Sequence, residues 1–146
     1  MEAQEFLDWI TPTAQAVCNK YDLPSACVIA QGAIESGWNT ATIGQFNLFG
    51  RKAVDGDKSI TVPTQEYVGN GIYQTIYAAF KDYDSLDEAI DDWCQLMEWG
   101  PYQPYANQYH QDHILECFVR GIASIYATSP TYAQDILETI SANNLT

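Results

Sequence analysis

The sequence predicts an α+β fold, with a mostly helical lobe and a small β-hairpin lobe across a cleft from it. Along most of the chain, apolar residues recur at spacings of three and four, as on the buried face of a helix. Between residues 59 and 79 that spacing gives way to β-branched and aromatic residues on either side of Gly69-Asn70-Gly71, a sequence typical of a tight turn. We therefore expect a bundle of roughly five to seven helices with one hairpin inserted in it.

Size and composition fit a single domain over residues 1–146. Hydrophobic residues make up 47% of the chain and charged residues 17%, which suffices for a core. The formal net charge of −13 disfavours binding to nucleic acid or to anionic surfaces, so neither is an expected partner. No stretch has the roughly 20 apolar residues of a membrane span, and the N-terminus does not resemble a signal peptide. We expect a monomer.

Two helices are predicted before residue 37. The apolar residues from Phe6 to Val17 keep helical spacing, and Pro12 should kink this first segment or divide it in two. Pro24 suits the first turn of the second helix, which ends at Glu35.

Glu35 is the first candidate for chemistry. It stands in the last turn of a mostly apolar helix, where the negative end of the helix dipole disfavours a carboxylate. Burial against Ile34 and Trp38 would raise the pKa of Glu35, and a raised pKa is what a general acid needs. A solvated helix end is the alternative interpretation.

The two strands of the hairpin are predicted at residues 59–68 and 72–79, with or without a third short strand. Pro63 should put the first strand at an edge, because proline cannot donate to a neighbouring strand.

Further helices are predicted after the hairpin. Ser85 begins a capping box that leads a helix to about Trp99, with acidic residues on its outer face. The segment from Gly100 to Tyr105 is predicted to be a loop that lines a binding site or caps the core. Two more helices are expected, one over residues 112–126 and one opened by Ser129-Pro130.

Four segments of the sequence resemble one known family and follow its order. Residues 30–38 (AQGAIESGW), followed by Asn47-Leu48-Phe49-Gly50, resemble glycoside hydrolase family 73, the peptidoglycan N-acetylglucosaminidases of autolysins, phage lysins and the flagellar rod-cap hydrolase. The resemblance continues through residues 80–83 and 126–128 and ends near Tyr132-Ala133. It implies a lysozyme-like fold and the role of catalytic acid for Glu35.

Glu66 is the candidate for a second catalytic carboxylate. Glycoside hydrolysis commonly needs two carboxylates on opposite sides of the scissile bond, and Glu66 lies in the hairpin lobe. The resemblance implies that a Glu or Asp of this region is the second group, on a mobile lobe that need not be in place without substrate. A solvent-facing strand residue is the alternative, since Asp55 and Asp57 lie in the same lobe.

The resemblance also implies roles for other side chains. Tyr126 is expected close to Glu35, where it would orient the substrate or stabilise charge, and a core tyrosine is the alternative. Asn47 would help to position the substrate or hold its own loop, and a purely structural role in a turn is equally open. We predict further substrate contacts for three aromatic residues, Trp38, Phe49 and Tyr67.

Two residues depart from the family pattern. Asn39 follows the tryptophan where a glycine is common, and Arg51 follows Asn-Leu-Phe-Gly where an aliphatic residue is usual. The change at Arg51 could alter a substrate subsite.

No metal or other cofactor is expected. His110 and His113 lack further ligands at suitable spacing, and the cysteines form no C-x-x-C pair. Buried free thiols are predicted, with one or two disulfides as the alternative, for Cys18, Cys27, Cys94 and Cys117.

The function predicted from these observations is that of an endo-β-N-acetylglucosaminidase, whose partner is the glycan strand of peptidoglycan. It would act on the bacterial cell wall, outside the cell or in the periplasm, after release of the phage-lysin type or excision from a longer secreted protein. A lytic transglycosylase or a muramidase on the same fold is one alternative. A non-catalytic glycan-binding module of a phage tail or wall protein is the other.

Overall fold

The computed structural model describes residues 1–146 and confirms the α+β architecture, with six α-helices, a 3-10 turn and one two-stranded antiparallel sheet. The helices are α1 (Ala3–Tyr21), α2 (Ser25–Ser36), α3 (Leu86–Met97), α4 (Gln103–Asp112), α5 (Leu115–Tyr126) and α6 (Tyr132–Ala142). The strands are β1 (Ser59–Gly69) and β2 (Ile72–Lys81), and the 3-10 turn is Gly100–Tyr102. None of the helices combines the length and the apolar character needed to cross a membrane.

The hydrophobic core belongs to the helical lobe. A cluster of 28 buried residues draws on all six helices, the 3-10 turn, Leu23 and the Leu48-Phe49 pair, and on no residue of the hairpin. Helix α2 packs against α1 and α6, and nine of its twelve residues are buried. Such a helix, apolar nearly all round, is stable only when it is surrounded by others. Glu35 is the one residue of α2 that is exposed.

The ends of these helices follow from local sequence. Ser85 caps α3 by accepting a hydrogen bond from the backbone N–H of Glu88 at 3.1 Å. Helix α2 ends at Gly37, whose φ of 56° is left-handed and therefore suits glycine. Helix α4 ends at Asp112 and is capped by His113, so α5 begins at Leu115, three residues later than the sequence predicted.

The structure decides two predictions about the helical lobe. Of the two effects expected of Pro12, division of the segment does not occur, because the buried face of α1 continues on both sides of the exposed proline and packing holds the helix together. The segment from Gly100 to Tyr105 is not a loop, since it contains the 3-10 turn and the first residues of α4. Pro101 and Pro104 stand in first turns, where the missing N–H of proline costs no hydrogen bond.

The predicted hairpin is confirmed. Strand β1 pairs with β2 from Ser59 opposite Lys81 to Gly69 opposite Ile72, and the turn Gly69-Asn70-Gly71 has positive φ at all three residues. A third strand does not form. Its place is taken by a single bridge between Lys52 and Phe80.

Candidate active site

Glu35 lies at the open end of the buried helix α2. The predicted burial of Glu35 against Ile34 and Trp38 is wrong, because Glu35 is exposed. Trp38 packs edge-on against Phe6 instead, with ring centroids 5.6 Å apart. None of the five surface pockets includes Glu35, so the carboxylate stands in an open surface rather than in a closed cavity.

Tyr132 holds the Glu35 carboxylate. Its hydroxyl donates a hydrogen bond of 2.7 Å to Glu35 Oε1, while no hydrogen bond or ion pair engages Oε2. Burial, and then the hydrogen bond to Glu35, raise the pKa of Tyr132 far above its ordinary value. The phenol therefore keeps its proton at physiological pH and acts as a donor. One carboxylate oxygen is thus fixed and the other is available to a substrate.

Tyr126 packs against Tyr132, the residue that bonds Glu35. Its ring stacks on the ring of Tyr132, with centroids 5.9 Å apart and an interplanar angle of 7°, and the Tyr102 ring also packs against it, with centroids 6.5 Å apart. Burial, and then the negative charge of Glu35, raise the pKa of Tyr126. The half-buried Tyr126 therefore lies in the same cluster as Glu35, but the direct contact belongs to Tyr132.

Sequence reasoning assigned no role to Tyr132. Its spacing along α6 made it one more apolar position of an amphipathic helix, and the structure indeed buries its ring to 5% exposure. The available signal was its hydroxyl, because a buried tyrosine usually needs a partner for that group.

Asn47 and Phe49 are buried in the loop that follows α2. The side-chain amide of Asn47 donates to the carbonyls of Arg51 and Lys81 at 2.9 Å each, and its oxygen accepts from the Arg51 N–H at 2.9 Å. Every hydrogen-bonding direction but one is used, and Asn47 is 1% exposed. These contacts favour the role of holding the loop to the hairpin over direct contact with substrate. Phe49, 8% exposed, is part of the core.

Glu66 lies on the inward face of the hairpin. Opposed residues of an antiparallel pair point to the same side, so Glu66 shares its face with Gln74. This face also carries the half-buried residues Ile60, Val62, Thr64, Ile76 and Ala78. The side chain of Glu66 is exposed and makes no hydrogen bond or ion pair, and the structure does not bring it into such a contact with Glu35.

Tyr67 lies on the opposite, outward face of the hairpin. It stands across from Tyr73, with ring centroids 5.3 Å apart, and it is 58% exposed. Its hydroxyl accepts a hydrogen bond from the backbone N–H of Gly71. This orientation does not favour the predicted contact of Tyr67 with a substrate bound beside Glu66.

A cluster of charged and polar side chains anchors the base of the hairpin to α3. Asp92 of α3 accepts hydrogen bonds from Arg51 Nε at 3.0 Å and from the Tyr83 hydroxyl at 2.5 Å, and Lys81 Nζ lies 3.5 Å from its other oxygen. Burial opposes ionisation of Asp92, but these partners outweigh it and hold the pKa of Asp92 below its ordinary value. We call these four residues the hairpin base cluster. Arg51, expected at a subsite, thus contributes to an anchor.

The outer part of the hairpin makes no polar contact with the rest of the chain. No hydrogen bond or ion pair of residues 63–76 leaves the hairpin, where Gln65 bonds Thr75 and Tyr67 bonds Gly71. The two candidate carboxylates therefore differ in their support. Glu35 bonds a buried tyrosine of the helical lobe. Glu66 belongs to the outer part of the hairpin, and the polar contacts between the hairpin and the rest of the chain all lie at its base.

The remaining candidates for chemistry are elsewhere. No group of three or more His, Cys, Asp or Glu side chains is arranged to hold a metal ion. His110 bonds Glu98 at 2.8 Å, and His113 bonds Asp22 at 2.8 Å. All four cysteines are free in this structure, three of them buried and Cys117 exposed.

The sequence and the structure both match known proteins. A family model described as Glucosaminidase, mannosyl-glycoprotein endo-beta-N-acetylglucosaminidase, matches residues 11–145. The exo-glucosaminidase LytG of Bacillus subtilis is 32% identical over 140 residues, which cover 92% of this chain and 49% of LytG. A probable N-acetylmuramidase of Lactococcus lactis is 28% identical over 152 residues, which cover 98% of this chain and 34% of that protein.

The catalytic domain of the autolysin Auto from Listeria monocytogenes has the same fold. Its crystal structure matches with a TM-score of 0.87 and 32% identity, over 99% of this chain and 85% of that one. The chain spans about a third to a half of the length of the curated relatives above. Since the family model covers nearly all of the sequence, this chain belongs to the Glucosaminidase family, glycoside hydrolase family 73.

Proposed function

We propose that this chain is a glycosidase that hydrolyses the glycan strand of peptidoglycan as an endo-β-N-acetylglucosaminidase, acting at the bacterial wall outside the cell or in the periplasm. The observation that carries the proposal is the Glu35 carboxylate at the open end of a buried helix, fixed through Oε1 by a neutral tyrosine. Its family supplies the reaction class, and the exposure of Glu35 leaves the carboxylate accessible to a polymer.

In this proposal Glu35 is the general acid. Its free oxygen, Oε2, carries the proton to the oxygen of the leaving sugar as the glycosidic bond breaks. The bound glycan would cover the exposed carboxylate and exclude water from it. The Tyr132 hydroxyl on Oε1 then stabilises the carboxylate that remains after proton transfer, without having to reorganise.

Glu66 is the second carboxylate of the proposal. It lies on the inward face of the hairpin, so closure of this lobe over a glycan would bring it to the side of the sugar opposite Glu35. There it would activate a water molecule in an inverting reaction, or stabilise the oxocarbenium-like transition state. Carboxyl groups about 6.5–9.5 Å apart would favour the inverting route, and a separation of about 5 Å a covalent retaining one.

Attack by the N-acetyl group of the substrate itself is a third route. It would make Glu66 less important and would increase the role of Tyr126, whose ring lies in the cluster behind Glu35. The loss of rate on Glu66→Gln distinguishes this route from the other two.

The test is a digest of purified peptidoglycan, followed by borohydride reduction and mass spectrometry of the products. Reduced N-acetylglucosamine at the new ends is the expected result, and the Glu35→Gln variant should not produce it. Glu138→Gln, an exposed acid on α6, is the matched control and should cleave normally. No cleavage of several wall types by the unaltered protein would contradict the proposal and favour a glycan-binding module.

The same digest tests a second candidate, a muramidase. The name of the Lactococcus lactis relative favours it, since that protein is described as a probable N-acetylmuramidase. Reduced N-acetylmuramic acid at the new ends would support this activity on the same site. Anhydromuramic ends would instead indicate a lytic transglycosylase.

A further inference from the structure

One buried polar side chain next to the active site has an unused donor. Gln31 lies on α2 one turn before Glu35 and is 0% exposed, and its amide nitrogen Nε2 has no hydrogen-bond partner. A buried amide N–H without an acceptor is costly, so a fully buried glutamine needs a reason. Leucine or methionine would fill the same space without that cost.

The orientation of the Gln31 amide is fixed by its other end. Its oxygen accepts a hydrogen bond of 2.8 Å from the indole N–H of Trp93, a buried residue of α3. An indole can only donate, so the oxygen must face Trp93 and the NH₂ group must point away from it. The direction of the unused donor is therefore determined by the core.

The Tyr132 hydroxyl is an acceptor close to Gln31, because it bonds Glu35 one turn further along α2. The amide of Gln31 acts on the phenol of Tyr132 and lowers its pKa, against the larger raising effects of burial and of Glu35. The amide nitrogen nevertheless stops short of a proper hydrogen bond. Because the Tyr132 oxygen uses its proton toward Glu35, its lone pairs remain free to accept one.

We infer that Gln31 is a positioning residue for the catalytic acid, in a hydrogen-bond chain that runs from Trp93 through Gln31 and Tyr132 to Glu35. A small shift brings the Gln31 amide into a bond with the Tyr132 hydroxyl oxygen. Accepting that bond polarises the phenol, which then donates more strongly to the Glu35 carboxylate. This inference rests on the proposed function for its kinetic part only.

The expected kinetic effect is a loss of turnover rather than of binding. Gln31→Met keeps the volume and removes both polar atoms, so kcat should fall about tenfold with KM nearly unchanged, because the charge on Glu35 develops only as the bond breaks. The basic limb of the pH profile of kcat, where the acid loses its proton, should move to higher pH. A purely structural role would not move that limb.

A double-mutant cycle tests the chain itself. Gln31→Met, Tyr132→Phe and the double variant are compared in kcat and in free energy of unfolding. If Gln31 acts through Tyr132, Gln31→Met should cost less in the Tyr132→Phe background than in the unaltered protein, so the two effects on each quantity are non-additive. Gln134→Met, an exposed glutamine of α6, is the control expected to change neither quantity.

The unfolding measurement needs no substrate, so it tests the chain even if the protein cleaves no wall. Gln31→Met also leaves the Trp93 indole without its acceptor. A comparison of Trp93→Phe with Gln31→Met/Trp93→Phe measures the effect of Gln31 without that unpaired donor. Additive effects in both quantities, or a Gln31→Met variant with unchanged kcat and pH profile in an active protein, would overturn the inference. Absence of cleavage by the unaltered protein, with non-additive unfolding energies, would overturn only the proposed function.

Discussion

The two walls of the proposed cleft are built in opposite ways. On the helical side, Glu35 ends a helix with nine buried residues of twelve and bonds a tyrosine that stacks on a second one. On the hairpin side, Glu66 is exposed and has no partner, and residues 63–76 bond only within the hairpin. The comparison teaches that the proposed acid is held in place by its neighbours in the absence of substrate, while the position of the proposed second carboxylate depends on that of its lobe.

This difference agrees with the roles proposed for the two groups. Proton transfer requires the acid at a fixed distance from the leaving oxygen, and burial of the supporting elements supplies that precision. A wall on a nearly free hairpin can admit a long polymer and then close on it. The hairpin base cluster ties the base of the hairpin to α3.

Removing the acid should have the largest effect. Glu35→Gln keeps the size of the side chain and the acceptor for Tyr132 but cannot transfer a proton, so kcat should fall about 10³-fold. The rate of appearance of new reducing ends measures it, with Glu138→Gln as the control. A variant that retains a tenth of the activity would contradict the role of Glu35.

Removing the second carboxylate should have a smaller effect. Glu66→Gln should lower kcat about 10²-fold if Glu66 activates water. Asp55→Asn, a carboxyl-to-amide change at an exposed residue of the same lobe, should leave kcat unchanged. Equal rates for Glu66→Gln and the unaltered protein would favour attack by the N-acetyl group of the substrate.

Loosening the anchor of the hairpin should affect both stability and turnover. Asp92→Asn leaves Arg51 and Lys81 without their acceptor charge, so the free energy of unfolding should fall by about 1–3 kcal/mol and kcat by severalfold. Thermal unfolding and the digest measure these effects. Unchanged values in both would contradict the anchoring role, and Asp84→Asn, an exposed aspartate near the same strand, is the control.

The contribution of Asp92 to stability should depend on pH. Because the pKa of Asp92 is lowered in the folded protein, its contribution is complete above the unfolded value of about 3.9 and is lost as pH falls through the folded value. The unaltered protein should therefore lose more stability than Asp92→Asn between neutral pH and pH values below that range. Parallel curves for the two proteins would contradict this assignment.

The smallest effect is expected on the outward face of the hairpin. Tyr67→Ala should change the rate of wall digestion by less than about twofold, since Tyr67 faces away from Glu66 and a surface change rarely acts at a distance. Tyr77→Ala on the same outward face should behave alike. A large rise in KM for Tyr67→Ala alone would restore Tyr67 as a substrate contact.

Much of the fold could be predicted because its signals are local. The hairpin was predicted from the turn Gly69-Asn70-Gly71 and from the change of apolar spacing around it, and the start of α3 was predicted from Ser85. Prolines were harder to interpret, because the same residue that breaks a helix can also begin one. Pro104 does the second, and the prediction of a loop there failed.

The site was predictable only in part, because its contacts are long-range. Glu35 and Tyr132 are 97 residues apart, and nothing local to Tyr132 reveals which carboxylate its hydroxyl meets. Arg51 likewise acts on Asp92, 41 residues away, so its unusual place after Asn-Leu-Phe-Gly was assigned to a subsite. The alternation of β1 did contain the information that Glu66 and Tyr67 point to opposite faces.

We propose that Glu35 stays in place while the hairpin closes over the glycan. The most direct test is a crystal structure of Glu35→Gln with an uncleaved peptidoglycan glycan fragment. We expect the residue at position 35 to keep its bond to Tyr132 as in the free protein, and the hairpin to close until Glu66 lies on the opposite side of the sugar. A hairpin that stays where it is in the free protein, with Glu66 away from the glycan, would contradict the account. So would a site in which Tyr132 leaves position 35 when the glycan binds.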